Sequence, residues 1–261
     1  MAYETIEIQT DARGVATLWL DRAEKHNALN AVMIAEVTAA ARALAADASV
    51  RVVVLGARGR SFCAGGDLGW MRDQFQAPAA QRAEEAGHLA GMLQALNTLP
   101  KPLIGRVQGN CFGGGVGMVS VCDVAVGTSA VAMALTETRL GLIPATIGPY
   151  VVARMGEARA RRVFFSGRRF DADEARDLGL LSRVVSEEAL DAAVEQEVAP
   201  YLACAPGAVA QAKALVQALG DAADAQMIEH SIAELVRCWE GPEAREGISA
   251  FFDKRKPGWQ S

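Results

Sequence analysis

Short apolar runs alternate along the chain with longer stretches in which apolar residues recur at helical spacing. Near the N-terminus, residues 5–8 and 15–20 alternate between apolar and polar on either side of a polar turn at 11–14, which predicts a β-hairpin. Asn30 precedes a stretch, 31–46, with apolar residues on one helical face, and its side chain can cap that helix. The chain therefore opens with a predicted hairpin and an amphipathic helix.

The middle of the chain repeats the order strand, then helix. The pattern predicts strands at 51–55, 103–107 and 123–126, and helices at about 80–97 and at 114–122. Repeated units of this kind are typical of an α/β architecture.

Beyond about residue 190 the pattern is helical only. It predicts helices over 189–202, 207–219, 221–240 and 243–254, with a break at Gly241-Pro242. We interpret residues 1–190 as the core that holds the site, and residues 191–261 as a C-terminal helical region used in assembly.

Composition narrows the functional classes. Of the 261 residues, 51% are hydrophobic and 22% are charged, as in a packed globular protein, and the net charge is −5. Scattered Lys and Arg argue against nucleic acid as a partner. Five cysteines without a C-x-x-C motif predict a reducing compartment and no metal site. The absence of a signal-like N-terminus or a long uncharged apolar run predicts a cytoplasmic protein without a membrane partner.

Two glycine-rich segments, 62–68 and 113–117, each follow a predicted strand. Glycine lets a backbone N–H group come close to a ligand, and two N–H groups aimed at one point would stabilise an oxyanion. Gly114 would also stand in the first turn of a buried helix, where unpaired N–H groups favour negative charge. Neither segment has the spacing of a phosphate-binding loop. The alternative is that both are tight turns; the favoured interpretation is a carbonyl-activating enzyme.

A nucleophile is hard to find in this sequence. There is no G-x-S-x-G motif, and His26, His88 and His230 all lie outside the glycine segments. Cys63 is interpreted as a small buried residue. Glu137 lies in a largely apolar stretch, where burial would raise its pKa and suit it to proton transfer. The alternative is a surface carboxylate paired with Arg139.

Taken together, these segments resemble the crotonase (enoyl-CoA hydratase/isomerase) superfamily over nearly the whole chain. Residues 20–30, LDRAEKHNALN, look like its R-P-x-x-x-N-A-L-N motif, and the two glycine segments follow in the expected order. Segments 136–144, 166–180 and 251–255 complete the resemblance. It implies an α/β fold of the ClpP/crotonase type, a spiral of ββα units with C-terminal helices that build a homotrimer, commonly paired into a hexamer.

The resemblance also implies an acyl-CoA thioester as substrate, with coenzyme A as part of the substrate and no separate cofactor. By matched position, the N–H groups of Gly66 and Gly114 should be the oxyanion donors and Glu137 the acid/base. The residues implied in coenzyme A binding are Lys25, Ala28, Ala64, Asp67, Leu68, Phe251 and Lys254, the last two from the same or a neighbouring subunit. A lysine suits a phosphate as a point charge.

One departure from the family pattern affects the reaction. Hydratases of the family normally carry two glutamates; Glu137 matches the second, but Gly117 stands at the position of the first. A single carboxylate could add water in two steps, as base and then acid, or could move a proton between the α- and γ-carbons of an enoyl-CoA. A non-catalytic acyl-CoA-binding homologue is the third interpretation.

Segments 67–71, 107–109 with 113–117, and 142–152 look most like the bacterial methylglutaconyl-CoA and γ-carboxygeranoyl-CoA hydratases of leucine and acyclic-terpene breakdown. Their substrates are branched at the β-carbon and carry a second carboxylate. We expect Gly117 to leave space and no charge for such a substrate. Arg72 or Arg139 is the candidate cation for that carboxylate; the alternative is that each is a solvent-facing or structural arginine. The sequence therefore predicts a hydratase of a branched, carboxylated enoyl-CoA.

Overall fold

Two β-sheets and the helices packed on them make up the part of the chain that the computed structural model describes, residues 3–219 and 225–260. The strands are β1 (Ile6–Thr10), β2 (Val15–Leu20), β3 (Val52–Ala57), β4 (Ser61–Cys63), β5 (Leu103–Val107), β6 (Asn110–Phe112), β7 (Val124–Thr128), β8 (Ala132–Ala134), β9 (Arg169–Asp171) and β10 (Arg183–Val185). The helices are α1 (Ala31–Ala46), α2 (Leu68–Gln76), α3 (Ala79–Asn97), α4 (Gly114–Ser120), α5 (Gly148–Met155), α6 (Glu157–Ala160), α7 (Ala172–Asp177), α8 (Leu190–Leu202), α9 (Pro206–Leu219), α10 (Ala225–Glu240) and α11 (Pro242–Phe252).

The larger sheet has six strands in the order β1-β2-β3-β5-β7-β10, and all its pairings except β1 with β2 are parallel. Every residue of β3 is buried, as expected for a parallel strand covered on both faces. On one face the sheet contributes to the main core together with buried residues of α1 and α3. On the other face, Leu190, Val194 and Val198 of α8 pack against Val52 and Val54. The sheet thus lies between two helical layers.

The smaller sheet has the order β4-β6-β8-β9, with β4, β6 and β8 parallel. Each of these three strands follows a strand of the larger sheet, namely β3, β5 and β7. The chain therefore turns repeatedly from the large sheet to the small one, and the two glycine segments come directly after β4 and β6. This arrangement confirms the predicted α/β class.

Most predicted elements are confirmed with small shifts in their ends. The hairpin forms, and Asn30 Oδ1 accepts a hydrogen bond from the Met33 N–H at 2.9 Å, so α1 begins where the cap predicts. The helix predicted over 221–240 is described from Ala225; residues 221–224 lie outside the described residues. The division at residue 190 stays a prediction, although α8 covers the sheet as part of the core.

Within the described residues, no single helix is long and apolar enough to cross a membrane. The bent helix pair Glu187–Leu202 and Pro206–Leu219 reaches the length and apolar composition of a membrane span only when its two helices are counted together.

Candidate active site

The first glycine loop leaves β4 and enters α2 through a tightly held turn. Gly65 has a positive φ of 92°, which an L-residue rarely adopts. Asp67 caps α2, because its Oδ1 accepts hydrogen bonds from the N–H groups of Gly69 (2.8 Å) and Trp70 (3.2 Å). Its Oδ2 forms an ion pair with Arg22 at 2.9 Å. These bonds fix the backbone of Gly66, which lies between Gly65 and Asp67.

The second glycine loop lies against the first. Gly113 has φ 47° and ψ −113°, and its N–H donates to the Ala134 carbonyl at 3.0 Å. A Cβ built on Gly113 would lie 3.9 Å from the Cα of Gly65. Gly114 begins α4, and a Cβ there would lie 2.6 Å from Leu29 Cδ1. The fold thus brings together two loops that are about fifty residues apart in the sequence.

Two backbone N–H groups in these loops stand out because of their missing acceptors in the described part of the chain. Among the described residues, neither the N–H of Gly66 nor that of Gly114 donates a hydrogen bond to the protein. Both residues line a cavity of about 460 Å³. Unpaired N–H groups beside a cavity, one of them at a helix N-terminus, are the kind of group that stabilises an oxyanion. Their assignment as the oxyanion donors stays a prediction.

Glu137 lines the same cavity and stands at the start of a 3₁₀ turn, Glu137–Leu140. The residue is half-buried, but its Oε2 is closed to solvent and has no hydrogen-bond partner among the described residues. A Cβ built on Gly113 would lie 3.0 Å from Glu137 Oε1. Burial raises the pKa of Glu137 to about 7, although a bond to its own backbone opposes the rise. A carboxyl with that pKa can take up and release a proton near neutrality.

The alternative surface role of Glu137 is wrong. Within the described residues Glu137 forms no ion pair, and the exposed side chain of Arg139 lies against Gly167. Glu137 is therefore a buried carboxyl rather than half of a surface pair.

The residues predicted for coenzyme A fall into two groups. Ala64, Leu68 and Phe251 line the cavity, and the last two side chains are about half exposed. The others are Lys25, exposed in a short 3₁₀ turn; Ala28, buried, with its carbonyl bound by Arg22; Asp67, the α2 cap; and Lys254, just beyond α11. The second group lies outside the lining of the cavity. Their roles in coenzyme A binding stay predictions.

The space expected beside Gly117 is occupied. A Cβ built on Gly117 would lie 2.5 Å from Ile147 Cγ2 and 3.0 Å from Ile147 Cβ. Ile147 lines the cavity and is itself 2% exposed, whereas Gly117 does not line it. The expectation that glycine at 117 leaves room for a branched substrate is therefore wrong, because Ile147 fills that room.

The other candidate groups also acquire clear positions. Cys63 is fully buried, and burial raises the pKa of its thiol to about 12, so the interpretation as a small buried residue is confirmed. The fold brings His26 beside the first loop, with its Nδ1 3.2 Å from Ser61 Oγ, which the sequence did not suggest. Neither His26 nor Ser61 lines the cavity.

The two arginines proposed for a substrate carboxylate lie in different surroundings. The Arg72 guanidinium lies 4.7 Å from the centre of the Phe252 ring and does not line the cavity. Arg139 lines the cavity but is exposed. A third arginine, Arg82 of α3, lines the cavity with a side chain only 11% exposed. No motif marks Arg82 in the sequence, and only the packing of α3 against α10 reveals it.

Comparison with known proteins agrees with this arrangement. The family described as enoyl-CoA hydratase/isomerase matches residues 10–261. The enoyl-CoA hydratase ACTT6 of Alternaria alternata is 31% identical over 240 residues, which cover 91% of this chain and 78% of that protein.

Two crystal structures of enoyl-CoA hydratases, from Shewanella pealeana and Mycobacterium smegmatis, superpose with TM-scores of 0.81 and 0.80, and each is 35% identical. The matches cover 98% and 99% of this chain, and 96% and 100% of those chains. By its sequence, its two-sheet spiral and these matches, the chain belongs to the enoyl-CoA hydratase/isomerase family.

Proposed function

We propose that the protein is a hydratase that adds water across the double bond of a branched, carboxylated enoyl-CoA of the methylglutaconyl-CoA type. The observation that carries this proposal is Glu137, whose Oε2 has no hydrogen-bond partner among the residues that the structure describes, and which lines the same cavity as Gly66 and Gly114. An acid/base group and two unpaired N–H donors are the parts that addition of water to an α,β-unsaturated thioester requires.

In the proposed reaction, the thioester oxygen accepts hydrogen bonds from the N–H groups of Gly66 and Gly114. These donors stabilise the enolate that forms as the water oxygen adds to the β-carbon. The Glu137 carboxylate takes the proton that this water loses, and the carboxylic acid then gives a proton to the α-carbon. The Glu137 pKa of about 7 suits both proton transfers, because neither protonation state of the carboxyl group is strongly favoured at neutral pH.

The second candidate is an enoyl-CoA isomerase with Glu137 as the sole proton shuttle. One observation favours it: Ile147, an apolar residue, fills the place beside Gly117 where a second carboxylate would otherwise stand. Isomerisation needs only one base that moves a proton between two carbons, whereas hydration also needs a bound water molecule. The hydratase is preferred on the resemblance of segments 67–71 and 142–152 to hydratases of carboxylated substrates.

Mass spectrometry separates these candidates. Purified protein should convert 3-methylglutaconyl-CoA into a product heavier by one water molecule, and in H₂¹⁸O the product should carry the heavy oxygen. Conversion of a 3-enoyl-CoA to its 2-enoyl isomer, separated by liquid chromatography at unchanged mass, without addition of water to either compound, would replace the hydratase by the isomerase. Binding of both thioesters without turnover would identify a non-catalytic homologue.

We also propose a homotrimer or a dimer of trimers. The exposed apolar side chains Leu215, Val216 and Leu219 on α9 support association, because such residues form a patch suited to another surface. Light scattering coupled to size exclusion should give the mass of three or six chains; a monomer would contradict the proposal. Cytoplasmic location stays a prediction, consistent with five free cysteines.

A further inference from the structure

Arg82 is a largely buried arginine that lines the cavity, and the proposed reaction gives it no role. It lies near the start of α3, and its side chain is 11% exposed. Its Nε donates to the Ala77 carbonyl at 2.9 Å, and its Nη2 forms an ion pair with Glu240 Oε1 at 2.9 Å. The guanidinium is thereby held in place from two sides.

The remaining nitrogen of this guanidinium has no partner in the described ranges, 3–219 and 225–260. Nη1 is closed to solvent and makes no hydrogen bond within the described residues. Buried polar groups are almost always hydrogen-bonded, and a charged donor left unpaired is especially unfavourable. Because Arg82 also lines the cavity, a ligand bound there is a candidate for the missing acceptor. Because Nη1 has no exposed surface, a neighbouring side chain of the wall has to move when that ligand binds.

The surroundings indicate which acceptor fits. The cavity lining includes the apolar residues Ala86 and Leu89 of α3 and Leu235 and Trp239 of α10, and one buried polar residue, Gln74. The Arg82 Cζ lies 5.8 Å from the centre of the Trp239 ring. Glu240 is about half exposed, so that water screens much of its charge. An anionic oxygen at Nη1 would therefore meet a fixed cationic donor in a dry environment, where such hydrogen bonds are strongest.

We infer that Arg82 Nη1 binds the distal carboxylate of the acyl group, and that Arg82 is the residue that selects a carboxylated substrate. This inference rests on the proposed function for the identity of the acyl chain. Arg82, Glu137, Gly66 and Gly114 all line one cavity, which places them around a single ligand space. Arg82 thus takes the role that the sequence assigned to Arg72 or Arg139.

Binding of saturated thioesters tests Arg82 independently of the reaction, because they cannot be hydrated. Calorimetry should compare 3-methylglutaryl-CoA with 3-methylbutanoyl-CoA, which lacks the distal carboxylate. The native protein should bind the carboxylated ligand more tightly, and Arg82→Met should reduce that preference by about ten- to a hundredfold, the usual effect of one charged hydrogen bond. Arg139→Gln, which alters the exposed arginine of the same wall, should keep the preference.

Three results would overturn the inference. The first is that the native protein shows no preference for the carboxylated ligand. The second is that Arg82→Met loses affinity equally for both ligands. The third is that Arg139→Gln loses as much of the preference as Arg82→Met does. If Arg82→Met does not fold, Arg82→Lys in the same assay should retain only part of the preference, because it keeps the charge and loses the fork; full retention contradicts the role assigned to Nη1. If the carboxylated ligand binds in an Arg82-dependent way but 3-methylglutaconyl-CoA is not hydrated, the proposed reaction is rejected and the role of Arg82 stands.

Discussion

Glu137 Oε1 lies directly against the backbone of Gly113, so that a Cβ on residue 113 would come within 3.0 Å of it. Gly113 also has φ 47° and ψ −113°, a conformation that L-residues rarely adopt. The second glycine loop therefore sets the position of the carboxyl group as well as that of the Gly114 N–H.

Gly113→Ala should displace this carboxyl group and strain the loop. We expect kcat to fall by about a hundredfold, since a shift of about 1 Å in a catalytic group has an effect of that size. Steady-state kinetics with the accepted enoyl-CoA would measure it. Gly91→Ala is the matched control, because among the described residues only its chain neighbours and the backbone of its own helix α3 come within 4 Å of its Cβ position, and its kcat should not change. An unchanged kcat in Gly113→Ala would show that the carboxyl group does not depend on this contact.

The raised pKa of Glu137 predicts the pH dependence of activity. Only the carboxylate can accept the first proton, so kcat/KM should rise with pH and level off above a midpoint near pH 7. Glu137→Gln should lower turnover by roughly two to four orders of magnitude and remove this midpoint. Glu84 is an exposed carboxylate on α3, and Glu84→Gln should retain both the native turnover and the midpoint near pH 7. A midpoint near 7 that persists in the residual activity of Glu137→Gln would belong to another group.

The same burial predicts how stability changes with pH. The pKa of Glu137 is about 7 in the fold, against 4.5 for an ordinary glutamate. Between these two values, the Glu137 carboxyl group keeps its proton in the folded protein but has lost it in the unfolded chain. The contribution of Glu137 to the free energy of unfolding therefore falls as pH rises from 4.5 to 7. This contribution is at most about 3 kcal/mol. Urea unfolding at pH 5 and pH 8 measures this fall in the free energy of unfolding, and Glu137→Gln should lack the part that Glu137 contributes. An equal fall between the two pH values in both proteins would contradict the assigned pKa.

The elements that the sequence predicts well are those fixed by neighbours in the chain. The Asn30 cap and the hairpin turn act over a few residues, so α1 and β2 begin where the pattern places them. By contrast, β4, β6 and β8 have three residues each and show no period. They exist because distant strands pair with them, and a single sequence does not reveal such pairing.

The site divides in the same way. Glu137 and the glycine loops carry a recognisable order of residue types, so they could be proposed from the sequence. Arg82 and Ile147 carry none, because each enters the cavity wall through packing between elements far apart in the chain. The misplaced expectation about Gly117 has this cause: a sequence shows that a side chain is missing and does not show which neighbour takes its volume.

The packing of Ile147 on Gly117 can be measured with a double-mutant cycle. Gly117→Ala would gain roughly 1 kcal/mol from helix propensity, but the new Cβ would lie 2.5 Å from Ile147 Cγ2, and overpacking typically costs about 1–3 kcal/mol. The single variant should therefore be less stable than the native protein. Ile147→Ala should lose about 2–5 kcal/mol, as buried isoleucines do.

In the double variant the added methyl group enters space that the smaller residue has vacated. Its loss of stability should be less than the sum of the two single losses by about 1–2 kcal/mol, the coupling usual for residues in contact. Urea unfolding of all four proteins gives this difference. Gly87→Ala combined with Ile147→Ala is the control, because no described residue outside the same stretch of helix lies within 4 Å of a Cβ at Gly87, and that pair should be additive. Additivity at Gly117 would mean that Ile147 does not fill the place of the first glutamate.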